Sequence, residues 1–114
     1  MTQSRIDIFA EMAKQQPDDG MIWYGLANEY IKVERWAEAT AALANVVRIN
    51  PDYTSAYQLL GTALANQGQI DEARQAWTDG VKVADRTGAW KAKQHMEGLL
   101  KGIDSSSGDA AFCQ

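Results

Sequence analysis

At 114 residues the chain has the length of one domain, large enough to bury a core but too short for two independent ones. Hydrophobic residues at 46% and charged residues at 23% are ordinary globular values, which exclude disorder as the default state. A net charge of -4 and a pI near 4.8 work against a phosphate backbone, whose attraction depends on clustered Lys and Arg, so nucleic acid is not an expected partner.

The opening Met1-Thr2-Gln3-Ser4-Arg5-Ile6-Asp7 lacks the uninterrupted apolar run of a secretory signal, and no segment approaches membrane-spanning length. A cytoplasmic location is therefore expected, without a membrane partner. Ile6, Phe9, Ala10 and Ala13 recur at helical spacing, Ile8 and Met12 widen the stripe, and Pro17 cannot continue a helix. A first helix is expected from about Ser4 to Gln16. Counted back from Pro17, Phe9 and Met12 sit where Leu43 and Val46 sit before Pro51, so residues 1–16 read as the second helix of an incomplete unit.

Residues 17–50 and 51–84 are of equal length, 34 residues each, and superpose like on like. Pro17-Asp18 falls over Pro51-Asp52, Trp23 over Tyr57, Leu26 over Leu60, Ala27 over Gly61, Glu38-Ala39 over Glu72-Ala73, Ala42 over Ala76 and Val47 over Val81. Each block predicts a helix pair. In the first, Trp23, Leu26, Ala27, Tyr30 and Ile31 form one stripe, and Ala39, Leu43, Val46 and Val47 form another that stops at Asn50-Pro51. In the second, Tyr57, Leu60, Gly61 and Leu64 repeat the stripe, Gly68 ends the helix in a left-handed position, and Ile70, Ala73, Ala76, Trp77 and Val81 make the partner. Ala27 with Ala39, and Gly61 with Ala73, are the expected points of closest helix approach. Glu34 stands where the second block has Gly68, and Gly80 costs about 1 kcal/mol inside a helix unless packing demands it.

After the second block Asp85 replaces the terminating proline, leaving an exit turn over Asp85-Arg86-Thr87-Gly88. A capping helix is expected within residues 88–103, from about Ala89 to Gly102. Strict repeat register would bury Lys91, Gln94 and His95; sliding by one residue buries Ala92, Met96 and Leu99 instead, and the slide avoids the desolvation cost. Ser105-Ser106-Ser107-Gly108 begins an expected disordered tail, residues 104–114. The single cysteine, Cys113, is penultimate, so it forms no intramolecular disulfide and does not fit a prenylation signal.

The 34-residue period with these small and aromatic positions resembles the tetratricopeptide repeat family, over about Phe9 to Ile103. The resemblance implies an all-α fold, a right-handed α-α superhelix of about six helices, with a half-unit helix in front and a solvating cap behind. It also implies a scaffold that binds a protein or peptide segment in a concave groove. The groove positions carried onto this chain are Met21, Tyr24, Asn28, Ile31 and Lys32 in the first unit, and Ser55, Gln58, Thr62, Ala65 and Asn66 in the second. The cap adds Trp90, Lys93 and Glu97. An extended peptide suits such a set, with Asn28 and Gln58 hydrogen-bonding its amides while Tyr24 and Trp90 cover apolar side chains. Family members that hold the terminal carboxylate of chaperone tails use Lys and Asn, then Asn, then Lys and Arg; here the first three positions are Tyr24, Asn28 and Leu59, and neither registration of the cap supplies the basic pair. No carboxylate clamp is expected. The alternative is a homo-oligomer formed through the orphan first helix.

Catalysis is not expected. His95 and Cys113 are single, so no metal site is predicted, and the phosphate-cradling and hydrolytic metal motifs that would imply a cofactor are absent. Ser105 to Ser107 have no nearby base in a rigid frame. The acidic pairs Asp18-Asp19 and Asp71-Glu72 fall at helix starts, where carboxylates accept backbone N–H bonds and favour the positive dipole end.

Overall fold

The computed structural model describes the backbone of residues 2–113 and the side chains of residues 5–103. Six helices follow one another: α1 Thr2–Gln15, α2 Gly20–Lys32, α3 Trp36–Ile49, α4 Thr54–Asn66, α5 Ile70–Thr87 and α6 Trp90–Cys113. Each packs on the next, and α6 also reaches back to α4. The described residues contain no strand.

Local chemistry sets the boundaries. Asp19, extended at φ −94° and ψ 102°, caps α2 by accepting from the backbone N–H of Met21 at 3.0 Å and of Ile22 at 3.4 Å. The two units are tied at their entrances in the same way, because Trp23 Nε1 donates to the Pro17 carbonyl at 2.8 Å and the Tyr57 hydroxyl donates to the Pro51 carbonyl at 2.9 Å. These aromatics are 34 positions apart, so the duplication extends to hydrogen bonding as well as to apolar pattern. The inter-helix turns match too: Glu34 adopts φ +58° and Gly68 φ +79° at equivalent positions. Asn50-Pro51 separates α3 from α4 without disturbing their packing.

Two apolar clusters make the core. The first gathers Ala27, Leu43, Val46 and Ala56, and the second Leu64, Ala73, Trp77, Ala84 and Met96, with Leu60 packed against both. Ala27 and Ala39 are fully buried, as expected of a close helix approach. At Gly61 the immediate neighbour is the indole of Trp77, lying where a Cβ would sit, rather than Ala73. At Gly80 a Cβ would meet the Met96 sulfur and, at 2.7 Å, Tyr57 Cβ, so packing demands the glycine. Met96 is fully buried, while Lys91, Gln94 and His95 are exposed, which is the one-residue slide.

Four boundaries or faces differ from expectation. Without a proline at position 85, α5 continues through Asp85 and Arg86 to Thr87, and Gly88 at φ +80° ends it. In α1, Ile6 and Ala13 are buried and Phe9 lies on Gly25, but Ile8 is 58% and Met12 37% exposed. Their repeat equivalents Ala42 and Val46 are buried in the cluster with Ala27 of α2, whereas no described helix covers this side of α1. Ile70 is likewise exposed, at the first turn of α5. Finally, α6 keeps a helical backbone to Cys113, past the expected boundary at 103; Ser105 to Ser107 and Gly108 weaken a helix but do not block it as proline would. The side chains of the expected tail, Cys113 among them, lie outside the described residues.

Candidate functional site

Spacings of three and four residues place Met21, Tyr24, Asn28 and Ile31 on one flank of α2, and Ser55, Gln58, Thr62 and Ala65 on the equivalent flank of α4. Met21, Lys32, Ser55, Asn66, Trp90 and Glu97 are exposed, and Tyr24, Asn28, Ile31, Gln58, Thr62, Ala65 and Lys93 are half-buried. The flank is therefore accessible, with its largest apolar side chains, Met21 at 74% and Trp90 at 66% exposure, on the first and last of its helices.

Much of the polar equipment is anchored within its own helix. Asn28 Nδ2 donates to the Tyr24 carbonyl at 3.0 Å, Thr62 Oγ1 to the Gln58 carbonyl at 3.0 Å, and Asn66 Nδ2 to the Thr62 carbonyl at 2.8 Å. Each of these amide side chains still has a second N–H and a carbonyl oxygen to offer. The Gln58 carbonyl also accepts from Trp77 Nε1 at 3.0 Å, which fixes α4 against α5. Tyr24 stacks on Tyr53, ring centroids 4.8 Å apart and planes 30° from parallel, so it forms a wall as well as a contact surface. Burial, then the neighbouring Tyr24, pushes the Tyr53 phenol above its ordinary value.

Both lysines of the set are engaged. Lys32 Nζ lies 3.0 Å from Glu29 Oε2, and Lys93 Nζ lies 2.9 Å from Asp85 Oδ1 and 5.2 Å from the centre of the Trp90 ring. The hydrogen bond to Asp85 raises the Lys93 ammonium above its usual range. Tyr24 and the half-buried Leu59, packed against the first cluster, present no cation or amide at the positions where a carboxylate clamp needs them.

Two features escaped the sequence. Glu29 is buried at 6% exposure, with Oε1 lacking a hydrogen-bond partner among the described residues. Superposing the repeats puts Glu29 over the fully buried Ala63, and that was the available signal. The other is a cleft of about 530 Å³ between the α1–α2 turn, residues 16–21, and Ile49, Asn50 and Tyr53. It shares Met21 with the expected groove and arises from turns distant in sequence, which helical periodicity does not register. Among the described residues, no three His, Cys, Asp or Glu side chains cluster to hold a metal ion, and no helix is long and apolar enough to cross a membrane.

A family model described as tetratricopeptide repeat matches residues 30–95. The TPR repeat-containing protein PA0015 of Pseudomonas aeruginosa is 28% identical over 99 residues, 87% of this chain and 94% of that protein. The solution structure of protein BPP2914 from Bordetella parapertussis superposes with a TM-score of 0.76 at 25% identity, covering 89% of this chain and 88% of that one. The TPR2B domain in the TPR2B-domain:pHsp70 complex of yeast Sti1 superposes with a TM-score of 0.81 at 17% identity, over 89% of this chain and 81% of that one. The helices are arranged as in these folds, an all-α right-handed superhelix.

Proposed function

Because this chain belongs to the tetratricopeptide repeat family, we propose that it is an adaptor holding an extended segment of a partner protein along the flank of α2, α4 and α6. Proteins of this fold generally mediate contacts between proteins and are typically not enzymes. The observation that carries the reading is the accessible flank with Met21 on its first helix and Trp90 on its last, because exposed aromatic and thioether side chains are what interfaces recruit. Asn28 and Asn66 retain amide valences for a peptide backbone, and Tyr24 is held by Tyr53 at little further entropic cost on binding. The yeast Sti1 domain, similar in fold, is in complex with pHsp70, which is consistent with a segment as ligand. The proposal carries a cytoplasmic location, open to cell fractionation. Its main test is a pull-down from the source cell comparing the intact chain with Tyr24→Ala/Asn28→Ala, the fold of the variant checked by circular dichroism. Loss of a specific band supports the groove; an unchanged set of bands removes it.

The exposure of Ile8 and Met12 on α1 favours a second reading, self-association through that face, since the equivalent residues of the next unit are buried. Light scattering over a range of concentrations separates the two. A monomer throughout eliminates self-association.

A further inference from the structure

We propose that the cleft beside α2 seats a long cationic side chain, Lys or Arg, of the segment bound in the groove. The inference rests on the groove reading, because Met21 belongs to both surfaces and Tyr53, which lines the cleft, stacks on Tyr24. The two therefore share a wall.

The dimensions and the lining suit such a side chain. About 530 Å³ lies within the roughly 300–1,000 Å³ of ordinary ligand pockets. Pro17, Met21, Ile49 and the Tyr53 ring offer apolar surface for an alkyl stem, whose charged end must still reach a polar group. That group is Asp18. Its carboxylate is exposed and makes no hydrogen bond or ion pair among the described residues.

The other charged side chain of the lining, Asp19, has the same sign. The C-termini of α1 and α3 and the N-termini of α2 and α4 all meet at the cleft, so the partial charges of the helix ends oppose one another and the carboxylates decide the sign. Of the two N-termini, that of α2 is already offset by Asp19, whose carboxylate accepts from Met21 and Ile22, while Tyr53 at the start of α4 makes no side-chain cap. Among the described residues no Lys or Arg lines the cleft; Lys14 and Arg48 stand in the last turns of α1 and α3, and Arg48 is drawn to Asn45 at 3.4 Å. An anionic side chain would meet Asp18 and Asp19 with no cation among the lining residues. The net charge of -4 draws basic segments toward the molecule as a whole.

Two measurements test this. The first is an NMR titration of the ¹⁵N-labelled chain with Nα-acetylarginine methylamide, and in parallel with its norleucine analogue. Arginine should shift the amide signals of Asp18 to Met21 and of Tyr53, binding about threefold tighter than norleucine, with Asp18→Asn removing that advantage. Equal binding of the two probes, or no shift at these residues, overturns the proposal. The second is selection from a random heptapeptide library on the native chain, on Asp18→Asn and on Tyr24→Ala/Asn28→Ala. A fixed Lys or Arg among the native chain's ligands, lost with Asp18→Asn, supports the proposal. Ligands that need the groove but show no basic position overturn the cleft and leave the groove standing. If nothing is enriched, the groove reading fails, and the arginine titration decides the cleft by itself.

Discussion

The two inter-helix turns pose the same backbone problem and solve it with different residues. Position 34 and position 68 both require positive φ, at +58° and +79°, yet only the second is glycine. A side chain in the left-handed region costs roughly 1 kcal/mol, and Glu34 makes no hydrogen bond or ion pair through its side chain among the described residues to offset it. Glu34→Gly should therefore raise stability by up to about 1 kcal/mol, read as a higher urea midpoint at unchanged slope. A lower midpoint would show that the turn is not strained. Gly61 gives the opposite case. A methyl group there would occupy the space of the Trp77 indole, which is held by its bond to the Gln58 carbonyl and cannot yield cheaply. Gly61→Ala should cost about 1–3 kcal/mol by overpacking, a loss that Trp77→Phe in the same chain should partly reverse. Gly61→Ala with native stability would place the indole elsewhere.

Among elements, what the sequence disclosed and what it withheld divide on a physical line. Helical periodicity reports which residues share a face, and it found both helix pairs, the Gly68 turn and the slide that buries Met96. It does not report what lies opposite that face, so Ile8 and Met12 looked like core although α1 has no described helix to bury them. Nor did it show the end of α5. The repeat register suggested a stop at Ala84, but a helix stops where a residue or a cap ends it, and Gly88 is the first to do so. Of the candidate site, the groove positions came from the resemblance to the family rather than from periodicity, and the cleft was not legible at all, because its walls come from separate turns. Three titrating groups, among them the Tyr57 entrance tie, add a pH dependence at this scale. Burial, then Asp79, raises the Tyr57 phenol above 10.0; burial, then Tyr24, raises Tyr53; the hydrogen bond to Asp85 raises Lys93 above 10.5. All three folded-state values are raised, so the folded chain holds these protons more tightly than the unfolded one. Their contribution is complete below about pH 10 and is lost as pH climbs through the raised values. The melting temperature should stay level from pH 8 to near 10 and then fall, less steeply in Tyr53→Phe/Tyr57→Phe. A level profile to pH 11.5 would contradict this.

For the molecule as a whole, the deciding property is the sign of the charge it presents. The flank is carried by only three helices, and its two lysines already face Glu29 and Asp85. Asp18 adds a carboxylate without a partner among the described residues at one end, and the chain as a whole is negative. A peptide ending in acidic residues and a free carboxylate would have to displace Glu29 or Asp85 to gain a cation, exchanging one ion pair for another while meeting repulsion from the rest. Holding a terminal carboxylate needs several convergent donors, and of the three positions in the two full units only Asn28 supplies one. Calorimetric titration with an acidic C-terminal peptide should accordingly give a dissociation constant no tighter than about 1 mM, unchanged when the terminus is amidated. Micromolar affinity that weakens with salt and disappears on amidation would mean that Lys32 or Lys93 leaves its carboxylate for the ligand, and the preference for basic segments would then have to be abandoned.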